Sequence, residues 1–193
     1  VIRKTSSGYE WDGGPTHCKL LKKKLNMEDC NAVETPVTPP EDVLETRVSM
    51  NLEAATAFRR SAARINYLAQ DRPDLAFSTK ELCREFAVPN QASYQKLKRV
   101  VRYLVGLPRL VYVFGWQDPP THLDVYTDSD FAGCKTSRRS TSGGVVMHGT
   151  HCLKHWSKTQ STVSLSTAES ELHGIANGIQ VALGMKTCAL TST

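Results

Sequence analysis

Two stretches decide the reading of this chain: LDVYTDSDFAGC, Leu123 to Cys134, and SLSTAESELHGIANGIQVAL, Ser164 to Leu183. In the first, period-two alternation puts Leu123, Val125 and Thr127 on one face of a strand and Asp124, Tyr126 and Asp128 on the other. Read as the end of a buried strand, Asp128 needs a partner, because an uncompensated carboxylate is costly to take out of water. Asp130 sits where the strand gives way to Phe131-Ala132-Gly133 and carries the same ambiguity between a turn-former and a ligand.

In the second stretch, Ser166-Thr167-Ala168-Glu169 has the form of a capping box, with Ser166 as N-cap and Glu169 reaching back to its backbone N–H. Glu169 therefore has a structural task. Glu171 does not: it lies one turn inside the helix, beside the stripe Leu172, Ile175, Ala176, Ile179 and Leu183, which reads as the buried face. Gly174, Gly178 and Gly184 each cost a helix about 1 kcal/mol relative to Ala, and the first two suggest close packing against a sheet. A hard divalent cation shared by Asp128 and Glu171 would satisfy both acids, since Mg²⁺ is commonly held by one or two carboxylates plus substrate phosphate oxygens.

Around these stretches, SGGVVMHG (142 to 149) and CLKHWS (152 to 157) read as two further strands joined by a glycine-bounded hairpin at 149 to 151. Three antiparallel strands followed by a helix make the first half of an α/β domain. Upstream, Leu52 to Val105 is helical three times over. Phe58, Ala62, Ile65 and Ala69 line one stripe, Leu75, Leu82, Cys83 and Phe86 a second, and Tyr94, Leu97, Val101 and Leu104 a third. The turn Asp71-Arg72-Pro73-Asp74 ends the first and Pro89-Asn90 the second. Lys96, Lys98, Arg99 and Arg102 ring the third helix, a row suited either to solvation or to a phosphate backbone. Gly106-Leu107-Pro108 stops it, and LVYVFGW (110 to 116) is β-branched and aromatic enough for a strand.

At the other end, GYEWDGG (8 to 14) is strand-like and PTHCKLLKKKL (15 to 25) is a short helix. Cys18, Leu21 and Leu25 share one face of it, and Lys19, Lys22, Lys23 and Lys24 occupy the other. Met27 to Val48, with Pro36, Pro39 and Pro40, reads as a linker between two packed units. The expected organisation is a strand and helix at 1–26, a proline-rich linker at 27–48, a helical region at 49–120 and a partial α/β domain at 121–193.

The totals exclude several classes. The chain has 193 residues, 40% apolar and 22% charged, as expected of a globular protein. Its net charge of +5 permits a polyanionic partner without demanding one. No apolar run approaches the roughly 18 residues that a bilayer span requires, so no membrane partner is expected. Six scattered cysteines with no CxxC pair and no signal peptide suggest thiols in a reducing, intracellular compartment rather than secretion. A first residue other than Met suggests a piece of something longer.

YTDSDFAG (126 to 133), SRRSTSGGVV (137 to 146), the segment Trp156 to Gln160 and LSTAESEL (165 to 172) resemble the ribonuclease H domain of copia-type retrotransposon polyproteins. Upstream, MEDCNAVETP (27 to 36), INYLAQDRPDLAFS (65 to 78) and LKRVVRYLVGLPRL (97 to 110) resemble the region that follows the reverse transcriptase palm, including thumb and connection. The resemblance runs in the family's order along nearly the whole chain. It implies a helical thumb and connection followed by a truncated ribonuclease H-like fold, with intracellular, cytoplasmic or nuclear, work inside retroelement particles.

It also implies a two-metal nuclease, using Mg²⁺ or Mn²⁺ roughly 4 Å apart to cut the RNA strand of an RNA–DNA hybrid. The family's first catalytic Asp matches Asp128 and its helix Glu matches Glu171. Ser129, Arg138, Arg139 and Gln160 lie in segments that could face the hybrid. The family's third and fourth acids fall on strands beyond this helix, and the polymerase aspartates fall before residue 1. The chain as given is therefore expected to be inactive and to leave a sheet edge for the rest of the polyprotein, or another chain, to complete. Two alternatives remain. One is a non-catalytic nucleic-acid- or protein-binding module using the basic helix 94 to 104 and the patch Lys19 to Lys24, and the other is a structural subunit.

Overall fold

A computed structural model describes residues 1–37, 48–134 and 136–191, with side chains to 187. Pro39 and Pro40 of the proline-rich segment, and the chain end at Thr193, lie outside the described residues. The elements are β1 (Ile2–Thr5), β2 (Gly8–Asp12), α1 (Thr16–Lys24), α2 (Leu52–Leu68), α3 (Ala76–Arg84), α4 (Gln91–Gly106), β3 (Val111–Gly115), β4 (Asp124–Ser129), β5 (Thr141–His148), β6 (His151–Thr159) and α5 (Thr167–Thr191). The class is mixed α/β, with two three-stranded sheets ordered β1-β2-β3 and β4-β5-β6. No helix among the described residues is long and apolar enough to cross a membrane. Cys18, Cys30, Cys83, Cys134 and Cys152 form no disulfide.

The chain divides into two compact units, Val1–Lys4 with Glu10–Tyr112 and Thr5–Tyr9 with Val113–Thr193. In the first, the three helical stripes meet as their periodicity predicts: Phe58, Ile65, Leu75, Leu82, Leu97, Val101 and Leu104 are fully buried in one core. Asn51 caps α2 by accepting from the Ala54 N–H at 2.8 Å. Asn90 and Ser93 cap α4 reciprocally, side chain to backbone in both directions. The turn before α3 holds more than a change of direction. Arg72, 4% exposed, grips Asp74 through Nε at 2.9 Å and Nη2 at 2.7 Å, while Nη2 also donates to Leu107 O and Tyr103 Oη donates to Asp74. Burial of Asp74 alone would raise its pKa, but the hydrogen bonds and charge of Arg72 outweigh it and hold the carboxyl below its ordinary value.

The segment after α1 corrects one expectation. Over its described residues, Met27 to Val48 does not separate one packed unit from another. Met27 is buried, Cys30 and Val33 pack on the same core, and α1 joins α2 and α4 in a single unit. The cause lies on α4, where Arg102 Nε donates to Asn31 O at 2.7 Å and Arg99 Nη2 to Thr35 Oγ1 at 3.1 Å. The two arginines fasten the beginning of the segment down.

In the second unit, β4 pairs antiparallel with β5 and β5 with β6, and Gly149, at φ +61°, makes the turn of the β5–β6 hairpin. Registers Val125↔Val146, Thr127↔Gly144 and Ser129↔Ser142 place these residues on one face, under α5. The Trp156 indole fills the space that Gly144 leaves open. A second correction concerns α5. Leu172, Ile175, Ile179 and Leu183, read as the buried face, are 64, 48, 53 and 58% exposed. The helix instead meets the sheet through Ser170, Gly174 and Gly178, spaced by four. Periodicity identifies residues that share a face, whereas the smallness of the other face decides which side approaches β4.

That packing is testable at two glycines. A Cβ at Gly178 would lie 2.5 Å from Thr127 Cγ2 and 3.1 Å from Val125 Cγ1, whereas one at Gly184 meets nothing within 4 Å. In urea denaturation, Gly178→Ala is expected to destabilise the chain by about 1–3 kcal/mol through overpacking. Gly184→Ala is expected to stabilise it by about 0.5–1 kcal/mol through helix propensity.

Candidate functional site

The last residue of β4 fixes the geometry of this region. Ser129 is inward, and its Oγ donates to Ser170 O in the first turn of α5 at 3.0 Å. Beside that bond, Gln160, at the end of β6 and 8% exposed, points Nε2 at Ser129 Oγ (3.1 Å), Ser142 Oγ (2.8 Å) and Ser170 O (2.8 Å). Its Oε1 accepts from Ser164 Oγ at 3.0 Å, and its backbone N–H donates to Ser140 O at 2.8 Å. Strands β4, β5 and β6 and the start of α5 thus converge on one carboxamide. Ser129 and Gln160 face the protein interior rather than a hybrid.

Asp128 and Glu171 flank this hub, one residue before Ser129 and one residue after Ser170. Neither side-chain carboxylate makes a hydrogen bond or ion pair among the described residues, whereas those of their neighbours are committed. Asp130 Oδ1 accepts from Thr141 N at 2.7 Å and Gly133 N at 3.4 Å, closing the loop after β4. Glu169 N donates to the Ser166 Oγ cap at 3.1 Å, as read, but the glutamate carboxylate reaches the Leu165 N–H at 2.6 Å rather than that of Ser166. The expected reason for Asp128 to need a partner is corrected: α5 covers only one face of β4, and Asp128 is exposed on the other. Glu171 is half-buried beside the sheet-facing row of α5.

Among the described residues, no three His, Cys, Asp or Glu side chains come together to hold a metal ion. Each of the two uncommitted carboxylates is the oxygen donor type a hard cation takes alongside water or phosphate oxygens, with Asp128 on the face of β4 that α5 leaves uncovered and Glu171 on α5 itself. The predicted cationic positions divide into two groups. Arg138 and Arg139 are exposed in the loop between β4 and β5, with Arg138 at φ +57°. On α4 the four are engaged within their own unit. Lys96 pairs with Glu85 at 3.5 Å and Lys98 lies over the Tyr94 ring at 4.9 Å. Arg99 and Arg102 hold the 31–35 segment.

The sequence is 32% identical over 157 residues to the retrovirus-related Pol polyprotein from transposon RE1 of Arabidopsis thaliana, matching 81% of this chain and 11% of that protein. It is 30% identical over 168 residues to the uncharacterized mitochondrial protein AtMg00810 of the same plant, with 83% of this chain and 65% of the relative covered. It is also 37% identical over 112 residues to the secreted RxLR effector protein 161 of Plasmopara viticola, covering 58% and 78%. The chain therefore spans about a ninth of the RE1 polyprotein's length. No protein-family profile and no solved structure matches it.

Stability separates the hub from the acids that flank it. Gln160→Leu leaves the buried Ser129, Ser142 and Ser164 hydroxyls short of partners and is expected to cost about 2–4 kcal/mol in urea denaturation. Asp128→Asn and Glu171→Gln are expected to stay within about 0.5 kcal/mol of the parent, since neither acid supports the fold.

Proposed function

We propose that the chain is a fragment of a retrovirus-related Pol polyprotein of a transposon, as its similarity to such polyproteins supports, and that Leu123 to Leu183 supplies the first two acidic ligands of a copia-type ribonuclease H site. The helical unit before it is then the thumb and connection region that follows the reverse transcriptase palm. One observation carries the site assignment: two carboxylates with no structural task, Asp128 and Glu171, stand on either side of the buried Ser129–Ser170 hydrogen bond.

In this reading Asp128 and Glu171 hold Mg²⁺ or Mn²⁺. The metal, when bound, supplies an activated water and charge stabilisation at the leaving oxygen during cleavage of the RNA strand in an RNA–DNA hybrid. The chain's own contribution is placement. The Gln160 hub sets where β4 ends relative to the first turn of α5, and so sets the separation of the two acids, in the way that supporting hydrogen bonds orient metal ligands generally. Arg138 and Arg139, exposed on the β4–β5 loop, are placed to meet phosphates of the hybrid. Recognition of such a duplex rests on shape, phosphates and 2′-hydroxyls. Lys96, Lys98, Arg99 and Arg102 have no role in this proposal, because their partners lie within their own unit.

Two carboxylates give one weak metal position, and a two-metal clamp needs more. In the intact element, further acids come from the rest of the polyprotein or from another chain seated at the open edge of β4. The 193-residue chain alone is expected to bind one Mn²⁺ weakly in calorimetric titration and to leave an RNA–DNA hybrid uncut. Asp128→Asn and Glu171→Gln should each abolish the titration. Mn²⁺ binding unchanged by both substitutions would overturn the ligand assignment. Hybrid cleavage that Asp128→Asn removes would overturn the claim that these two acids are insufficient.

A further inference from the structure

Helix α1 carries a cationic run left unused by the proposed nuclease site. Thr16–Lys24 has four lysines and no acid, and none of the four pairs with a carboxylate among the described residues. Lys24 lies two turns from His17 on the same side of the helix. Helix α2 adds a second row in the same unit, since Arg60, Arg64 and Tyr67 at i, i+4 and i+7 share one face. The two rows meet. Arg64 Nη1 donates to His17 Nδ1 at 3.2 Å, and the His17 and Tyr67 rings approach to 4.9 Å between centroids at 48°. Arg60 has no carboxylate partner among the described residues either. Tyr67 is nevertheless 63% exposed. The contrast with α4 is direct, because its four cations each have a partner inside the unit.

Uncompensated cations beside an exposed ring pair, all on packed helices, suit a ligand with both phosphates and accessible aromatic faces. A duplex offers the phosphates but keeps its bases stacked, so Tyr67 would have nothing to stack on. An unpaired strand offers both, and each stacked base adds affinity without sequence preference. We propose that the α1–α2 surface binds an unpaired nucleic-acid strand, with phosphates at Lys24, Arg60 and Arg64 and a base on the Tyr67 ring. Lys19, Lys22 and Lys23 add positive potential that draws the strand in without contacting it.

The test is fluorescence anisotropy of the full chain with a labelled oligothymidylate, and separately with a mixed-sequence duplex of the same length, across a salt series. Single-strand affinity is expected to fall with salt at a log–log slope of about −2, the value for three phosphate contacts at roughly −0.7 each. Lys24→Gln/Arg60→Gln/Arg64→Gln should remove most of that slope. Tyr67→Ala should weaken single-strand binding about tenfold while leaving the duplex unaffected, and Tyr67→Phe should retain it. Circular dichroism of each variant guards against misfolding at these surface positions. No binding at low salt, affinity indifferent to Tyr67→Ala, or tighter binding of the duplex would each overturn the proposal. Asp128→Asn should bind like the parent, so failure here is distinguishable from failure of the metal site.

Discussion

The carboxamide of Gln160 is the constraint on which the second unit depends. Buried polar groups are tolerated only when satisfied, and this one is satisfied from several elements: Ser129 on β4, Ser142 on β5, Ser164 before α5 and the Ser170 carbonyl within it. Its alternatives in an open sheet would be water or nothing. Because the partners come from two strands, the segment before α5 and the helix itself, the network fixes their mutual positions more tightly than apolar contact would. Asp128 and Glu171 inherit that precision without contributing to it.

The packing of α5 follows from the same economy of size. Ser170, Gly174 and Gly178 present almost no side chain, so the helix backbone comes close enough to β4 for Ser129 to reach a helix carbonyl. Larger residues on that row would push the helix outward and break the bond. The consequence is that the apolar row Leu172, Ile175, Ile179 and Leu183 turns away from the sheet and stays exposed. In the first unit the logic is reversed: large apolar stripes interlock in the core, and charge handles the edges, with Arg72 buried against Asp74 and with Arg99 and Arg102 pinning the 31–35 segment.

Much of this was legible from the residues. The stripes of α2 and α4 predicted their own burial, the alternation of β4 predicted its two faces, and the Ser166 cap marked where α5 begins. The spacing of Gly174 and Gly178 pointed to the close approach. What could not be read was whatever depends on pairing across the chain. Four serines and a glutamine scattered over residues 129–170 carry no local pattern, and only the register of three strands makes them a network. Arg99 and Arg102 looked like solvated cations because their acceptors, Thr35 Oγ1 and Asn31 O, lie more than sixty residues away. The stripe on α5 was visible, but the side it faced was settled by the small residues opposite.

The central claim is spatial: Asp128 and Glu171 belong to one cation position set by the Ser129–Ser170 bond. Paramagnetic broadening by Mn²⁺ in amide NMR spectra of the 193-residue chain addresses it directly. Substoichiometric Mn²⁺ is expected to bleach the amides of residues 128–130 and 170–172 together and first, with the effect lost in Asp128→Asn. Bleaching confined to one of the two segments, or centred on other acids such as Glu28 and Asp29, would contradict the account.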